Sequence, residues 1–342
     1  MSTDPLRMGV IGVGVIGRAH VTRLLDAASP ATLVAVADEL PAAADALAQE
    51  RGVESATVPD LLARPDVEAV VVAIPSGLHA DVTVAALDAG KHVLLEKPID
   101  VTVAAADEII AAEQRSGRTL SVVSQRRFAA ENQFIHRALR EGALGRVTAA
   151  TVEVALWRDQ EYFDSGAWRG TWALDGGGAL MNQGVHLVDL ALWLLGDVEE
   201  VYAHTGLLAH ERIEVEDTVT ITARLRSGAL LTFLATTTAY GDLPIRMAVM
   251  GDGGAVVTES ELITRFTSRE GVEPPAFTPV DQQLAQLEDF VTAVRTGAAP
   301  LVTSHQARAA VAFIEAVYES GRTGRPVRPA QPAVAPSAPT VR

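Results

Sequence analysis

The chain contains no cysteine, which excludes disulfides, thiolate zinc sites and a cysteine nucleophile. It also lacks any apolar run of the roughly 18 residues that a spanning helix needs. The opening MSTDPLRMGVIG has none of the charged-then-apolar order of a signal segment, so a soluble, cytoplasmic protein is expected. Basic residues are in deficit, 28 against 43 acids for a net charge of −15. That balance disfavours nucleic acid and anionic membrane surfaces as partners. What is present is globular: 48% apolar against 21% charged residues. At 342 residues a single core is outgrown, and two domains are expected.

Residues 7–123 alternate short apolar runs with amphipathic stretches. Strands are expected at Arg7–Ile11, Thr32–Asp38, Ala69–Ile74, His92–Leu95 and Leu120–Val123, with helices near 16–27, 41–51, 79–90 and 102–116. Strands separated by helices of ten residues or more make right-handed βαβ units and a parallel sheet. Runs such as AVVVAI at 69–74 are apolar throughout, as when helices cover both faces. Residues 1–125 therefore read as a doubly wound α/β domain. After Gly145 the texture changes to longer, often alternating strands: Arg146–Trp157, Val198–Leu208, Glu216–Arg226, Ala229–Thr238, Ile245–Gly251 and Gly254–Thr258. Turn signals join several of them, RSGA at 226–229 and GDGG at 251–254. Few helices interrupt this run, so 126–328 reads as an α+β domain on a mostly antiparallel sheet. Helical patterns return at 281–296 and 304–320, and 329–342 reads as a disordered Pro/Ala-rich tail.

RMGVIGVGVIGRAH places Gly12, Gly14 and Gly17 after the first strand and at the start of a helix. One glycine permits the tight turn, one admits a pyrophosphate against the backbone, and one lets helix and strand pack closely. The helix start offers free N–H donors to phosphate. Asp38 closes the second strand, where an acid holds a ribose 2′-hydroxyl. Glu39 follows and no Arg stands at that edge, so a 2′-phosphate is repelled and NAD is expected over NADP. Further along, GKHVLLEKP ends an apolar strand in Glu96, Lys97 and Pro98, and IPSGLH at 74–79 has the same strand-then-Pro layout. Ligands of open parallel sheets sit at this carboxyl edge, and proline fixes the direction of the chain there. Lys97 is then either a solvated turn residue or a cation aimed at the cleft.

The set GxGxxGxxH (12–20), IPSGLH (74–79), GKHVLLEKP (90–98), RRF (126–128) and GGGALMNQGVHLVD (176–189) resembles the Gfo/Idh/MocA family. That family includes glucose–fructose oxidoreductase and inositol dehydrogenase. The likeness extends to about residue 328, through FIEAVYESGRTGRPV. It implies that 1–125 is a dinucleotide-binding Rossmann domain and 126–328 a substrate-binding and oligomerisation domain on a large open sheet whose outer face forms a homodimer or homotetramer. It also implies hydride transfer between NAD(P) and a carbohydrate or cyclitol. The family's lysine falls on Lys97 and its histidine on His186, both catalytic. Many members have aspartate four residues before the histidine, where this chain has Asn182. On a helix, positions i and i+4 share a face, so Asn182 is expected beside His186 as an orienter or substrate contact. Gly12, Gly14, Val15, Ile16, Gly17, Asp38, Ile74, Pro75, Ser76, His79, Glu96 and Lys97 form the expected cofactor surface.

His186 suits proton exchange with a secondary alcohol because its ordinary pKa near 6.5 makes both forms accessible. Lys97 suits stabilisation of the developing alkoxide, or exchange of the proton itself if burial lowers its pKa. Asp189 either orients the ring or caps a neighbouring element. No third ligand accompanies His-x-x-Asp, so no metal is expected. His204 and His210 are expected at the surface. WRDQEYFDSGAWRGTW at 157–172 concentrates aromatics and arginines before the glycines. Such residues stack on sugars and grip carboxylates or hydroxyls, so Arg158, Tyr162, Trp168 and Arg169 are candidate substrate contacts. Arg127 lines the interdomain cleft or pairs with an acid. Two other functions stand beside the dehydrogenase or ketoreductase: an NAD-dependent glycosidase working by transient oxidation and elimination, and a non-catalytic NAD-binding regulator.

Overall fold

The computed structural model describes residues 4–332. The first sheet is built from β1 (Leu6–Ile11), β2 (Ala31–Ala37), β3 (Glu54–Ala56), β4 (Ala69–Val72), β5 (His92–Leu95) and β6 (Leu120–Val122). Its helices are α1 (Val15–Leu24), α2 (Pro41–Arg51), α3 (Val58–Ala63), α4 (His79–Asp88) and α5 (Val103–Ser116). The strand order is β3-β2-β1-β4-β5-β6, all parallel, with the reversal of direction between β1 and β4. On β4, Ala69 and Val71 pack with Val21, Leu24 and Leu47 of α1 and α2, while Val70 and Val72 pack with Leu61, Leu87 and Ile109 of α3, α4 and α5. Alternate side chains thus enter two separate cores, which is why this strand carries no polar residue.

The remainder forms α6 (Ala130–Arg140), β7 (Val147–Ala155), α7 (Gln160–Asp164), α8 (Val185–Leu195), β8 (Val198–Gly206), β9 (Thr218–Leu225), β10 (Leu230–Thr236), β11 (Arg246–Gly251), β12 (Gly254–Glu259), β13 (Leu262–Ser268), α9 (Gln282–Thr296) and α10 (Ser304–Thr323). The seven-stranded sheet has the order β13-β12-β11-β7-β10-β9-β8, with β7 and β10 parallel and the other neighbours antiparallel. One face, with Val152, Ile221, Phe233 and Val249, packs on α6, α8 and α10.

Five elements escape the sequence reading. β3, α3 and α7 are only three, six and five residues long, α6 follows Ala129 with no side-chain cap to announce it, and β13 is a largely exposed edge strand. The domain boundary is also less simple than 126–328. Leu287 and Phe290 of α9 belong to the first domain's core beside Leu6 and Met8. α10 enters both domains, through Ala307 and Val311 on one side and Ala310, Phe313 and Ile314 on the other. Residues 329–332, assigned above to the tail, are held in place: the Arg308 guanidinium donates to Ala330 O at 3.0 Å and Gln331 O at 3.4 Å. The rest of that stretch, 333–342, lies outside the described residues. Among the described residues no helix is long and apolar enough to cross a membrane.

Candidate active site

The chain leaves β1 through a turn in which Gly12 has φ +93°, and a Cβ there would stand 2.2 Å from Ala73 O. A Cβ on Gly17 would stand 1.8 Å from Gly12 O, so strand and helix touch without side chains between them. Gly14 differs: its Cβ position faces open space, and no side chain caps α1 behind it. Free N–H groups of the first turn are left facing outward. Val15 and Ile16 are 78% and 49% exposed at this edge. Asp38 stands beside the turn, its carboxylate accepting from Val13 N and Leu40 N, both at 2.9 Å. Donor-rich helix start, open approach and fixed acid fit the pyrophosphate and ribose of a dinucleotide.

α1 also carries His20, whose ring Nε2 donates to Glu96 Oε1 at 2.8 Å. The other oxygen of Glu96 accepts from Lys97 N at 3.1 Å. Burial opposes the charged carboxylate here, yet the His20 hydrogen bond and the His20 and Lys97 charges outweigh it and hold Glu96 below its ordinary pKa. Glu96 thereby ties the glycine-rich helix to Lys97. His79 does not contact the cleft as expected. It is fully buried, its two ring nitrogens facing Pro98 O at 2.8 Å and Ile74 O at 3.0 Å. It staples two loops of the carboxyl edge together, and burial lowers its pKa. The Ser76–Gly77 turn leans on the second domain, with Gly77 N donating to Leu174 O at 2.9 Å.

Lys97 crosses between domains. Its Nζ donates to the backbone carbonyl of Asn182 at 2.9 Å. Lys97 and His186 both line one small cavity, with Ser124 and Val185. The His186 ring is half-buried and makes no hydrogen bond among the described residues. Burial first, then the positive charges of Lys97 and Arg126, holds its pKa well below the ordinary imidazole value. Burial likewise lowers the Lys97 pKa and Arg169 adds to this, while Glu96 and Asp175 pull it back up.

The expectation for Asn182 fails in an informative way. Residues Ala179–Gly184 form a π-helical turn ahead of α8, so the i,i+4 spacing of an α-helix does not apply. The Asn182 amide donates to Asp175 Oδ1 at 2.6 Å, not to His186. Asp175 is the acid the sequence reading missed. It is buried, its Oδ2 accepts from Gly170 N at 2.8 Å, and it faces the Lys97 ammonium. Burial raises its pKa, against the Lys97 and Arg169 charges. Its only signal was its place directly before the glycine run. The turn itself hangs on Glu216, whose oxygens accept from Gly178 N and Leu180 N, each at 2.9 Å, and from the Tyr318 hydroxyl at 3.1 Å.

Other expectations are corrected. Asp189 neither orients His186 nor caps an element: it accepts from Arg127 Nε at 2.8 Å and Nη2 at 2.5 Å and from the Ser124 hydroxyl. Arg127 is fully buried in that pair, with Gln306 as a further acceptor at 2.8 Å, and is unavailable to a substrate. His204 is exposed on β8, but His210 is buried, with Asp217 Oδ2 3.1 Å from Nδ1 and Arg158 O 2.7 Å from Nε2. Its contact with Arg158 O fixes the loop before α7. Arg158, Tyr162, Trp168 and Arg169 do gather. The Arg169 guanidinium lies over Tyr162 and Trp168 at 4.3 and 4.5 Å, and Arg158 over Tyr162 at 5.3 Å. Gln183 links this rim to the π-turn, donating to the Tyr162 hydroxyl at 3.1 Å and accepting from Arg158 at 3.4 Å.

Comparison with known proteins agrees with this geometry. Residues 6–124 match the family model for the oxidoreductase family, NAD-binding Rossmann fold, and residues 132–257 match the GFO/IDH/MocA C-terminal domain. Inositol 2-dehydrogenase 2 of Saccharopolyspora erythraea is 32% identical over 93% of this chain and 94% of its own. Inositol 2-dehydrogenase of Rhizobium meliloti is 28% identical over 92% and 96%. The WlbA dehydrogenase from Bordetella pertussis, solved with NADH and UDP-GlcNAcA, superposes with a TM-score of 0.87 at 33% identity, covering 95% of this chain and 99% of that one. With both halves matched, the chain belongs to the Gfo/Idh/MocA family of oxidoreductases.

Proposed function

We propose that the protein exchanges a hydride between NAD(H) and a secondary hydroxyl or keto carbon of a sugar, cyclitol or sugar derivative, with NAD preferred over NADP. The observation that carries this reading is the Lys97–Asn182 contact. It brings an ammonium from the nucleotide domain to the turn that leads into His186, at one shared cavity. When bound, the nicotinamide supplies the hydride acceptor or donor. The chain's own groups manage the proton. His186, neutral because its pKa is depressed, takes the hydroxyl proton in oxidation and returns it in reduction. Lys97, kept charged by Glu96 and Asp175 against its burial, holds the oxygen on which negative charge grows. Arg158, Tyr162, Trp168 and Arg169 position the substrate, and the carboxylate of Asp38 disfavours a 2′-phosphate.

The names of the relatives support a carbohydrate or cyclitol substrate. Copies would pair through the outer face of the seven-stranded sheet, where Thr220, Thr222, Leu230 and Thr232 are exposed, giving a dimer or tetramer in light scattering. The test of activity is a panel of inositols, aldoses and UDP-sugars incubated with NAD or NADP and followed by absorbance of the reduced cofactor. Formation of NADH with at least one member, faster than NADPH, is the expected result. No reduced cofactor from any member, with cofactor binding intact, overturns the reading.

A further inference from the structure

We propose that the substrate carries a carboxylate or phosphate, received by Arg169 with Arg158 at its side; this rests on the active-site reading above. The Arg169 guanidinium lies over the rings of Tyr162 and Trp168, and among the described residues none of its N–H groups meets an acceptor. Arg158 donates to Trp157 O at 2.7 Å and to Gln183, but has no carboxylate partner either. Both guanidinia are half-buried over one phenol ring. Keeping unpaired cations out of bulk water is costly unless an anion joins them. Half-buried Arg64, Arg126 and Arg295 each have an acid, although Arg23 has only Gln283.

Arg169 is also close to the chemistry. Its charge lowers the pKa of both Lys97 and Asp175. The acids at hand are both engaged, Asp175 by the Asn182 amide and Gly170 N and Glu96 by His20 and Lys97 N. The site thus holds three cations, Lys97, Arg158 and Arg169, against two engaged carboxylates. Neutral hydroxyls need no such excess. A guanidinium held flat by aromatic rings keeps its N–H fork fixed, which matches two oxygens of a carboxylate or phosphate.

The test measures binding by calorimetry to the NADH-loaded protein with matched pairs: glucose with glucuronate, glucose with glucose 6-phosphate, and UDP-glucose with UDP-glucuronate. The first and third pairs report a carboxylate and the second a phosphate. At least one anionic member should bind about tenfold or more tightly than its partner, as charge-assisted hydrogen bonds of this kind give. Arg169→Gln should shrink that gap to about twofold or less, and Arg169→Lys should retain part of it. Equal binding within every pair, no binding by any anion, or a gap that survives in a folded Arg169→Gln protein overturns the proposal. If Arg169→Gln does not fold, the wild-type pairs and Arg169→Lys decide. NADH formed from polyols with no preference for anions would sink this inference alone. Anion preference without NADH formation from any sugar would sink the dehydrogenase reading instead.

Discussion

The ammonium of Lys97 donates to the backbone carbonyl of Asn182 across the domain boundary, at 2.9 Å. A backbone acceptor is indifferent to the side chain at 182. The lysine can therefore keep its place in a chain that has an amide rather than an acid at this position. The negative charge comes instead from Asp175, seven residues upstream, which holds the Asn182 amide.

Asp175→Asn should therefore alter the titration of Lys97 while leaving cofactor binding in place. The Asp175 carboxylate raises the Lys97 pKa, so its removal lowers it. With the ammonium as the working form proposed above, the alkaline limb of kcat should move to lower pH, by about one unit for a close charge. A pH–rate profile with an unmoved alkaline limb would contradict this.

Two glycines of the first turn should separate folding from cofactor binding. Gly17→Ala drives a methyl to 1.8 Å from Gly12 O and should lower the melting temperature outright. Gly14→Ala enters open space and should leave it unchanged within a degree or two, yet weaken NADH binding about tenfold or more by filling the pyrophosphate's approach. Calorimetry and thermal melts on both variants check this.

His186→Asn should lower kcat by about 10²–10⁴, the usual worth of a general base. Burial and the neighbouring cations hold its pKa below the ordinary value, so the ring stays neutral into mildly acid solution. The acid limb of the oxidation rate should accordingly lie below about pH 6.5. A limb at or above that value, moving with substitution of Lys97, would argue against the assignment.

Glu216 should make stability depend on pH. Burial pushes its pKa up to about 7, against an ordinary value near 4.5. The folded state thus binds the proton more tightly than the unfolded one. Stability is full below the unfolded pKa and falls as pH rises through the folded one, by an amount on the order of 3 kcal/mol between about pH 4.5 and 7. Glu216→Gln should flatten this part of the curve, although an amide offers only one oxygen to the N–H groups of Gly178 and Leu180. Urea melts across that range read it directly.

Much of this architecture was legible in the sequence because it rests on local pattern. The apolar runs of β1, β4 and β5 and the glycines at 12 and 17 announce a buried parallel sheet and its tight crossover. The Lys97 and His186 positions came with the family likeness. Illegible were contacts made by distance in space: Asp189 with Arg127, 62 residues apart, and His210 buried against Asp217 and Arg158 O. The π-turn was hidden too, since an extra residue per turn leaves no periodic trace in a stretch of six. It is this turn that sends Asn182 to Asp175.

Single-turnover reduction of NAD by Lys97→Met, at saturating substrate, tests the assignment of the proton chemistry most directly. A fall of about 10²–10³ in rate with unchanged NADH affinity is expected, since a charge facing the nascent alkoxide is removed. A rate within about threefold of the wild type would contradict it.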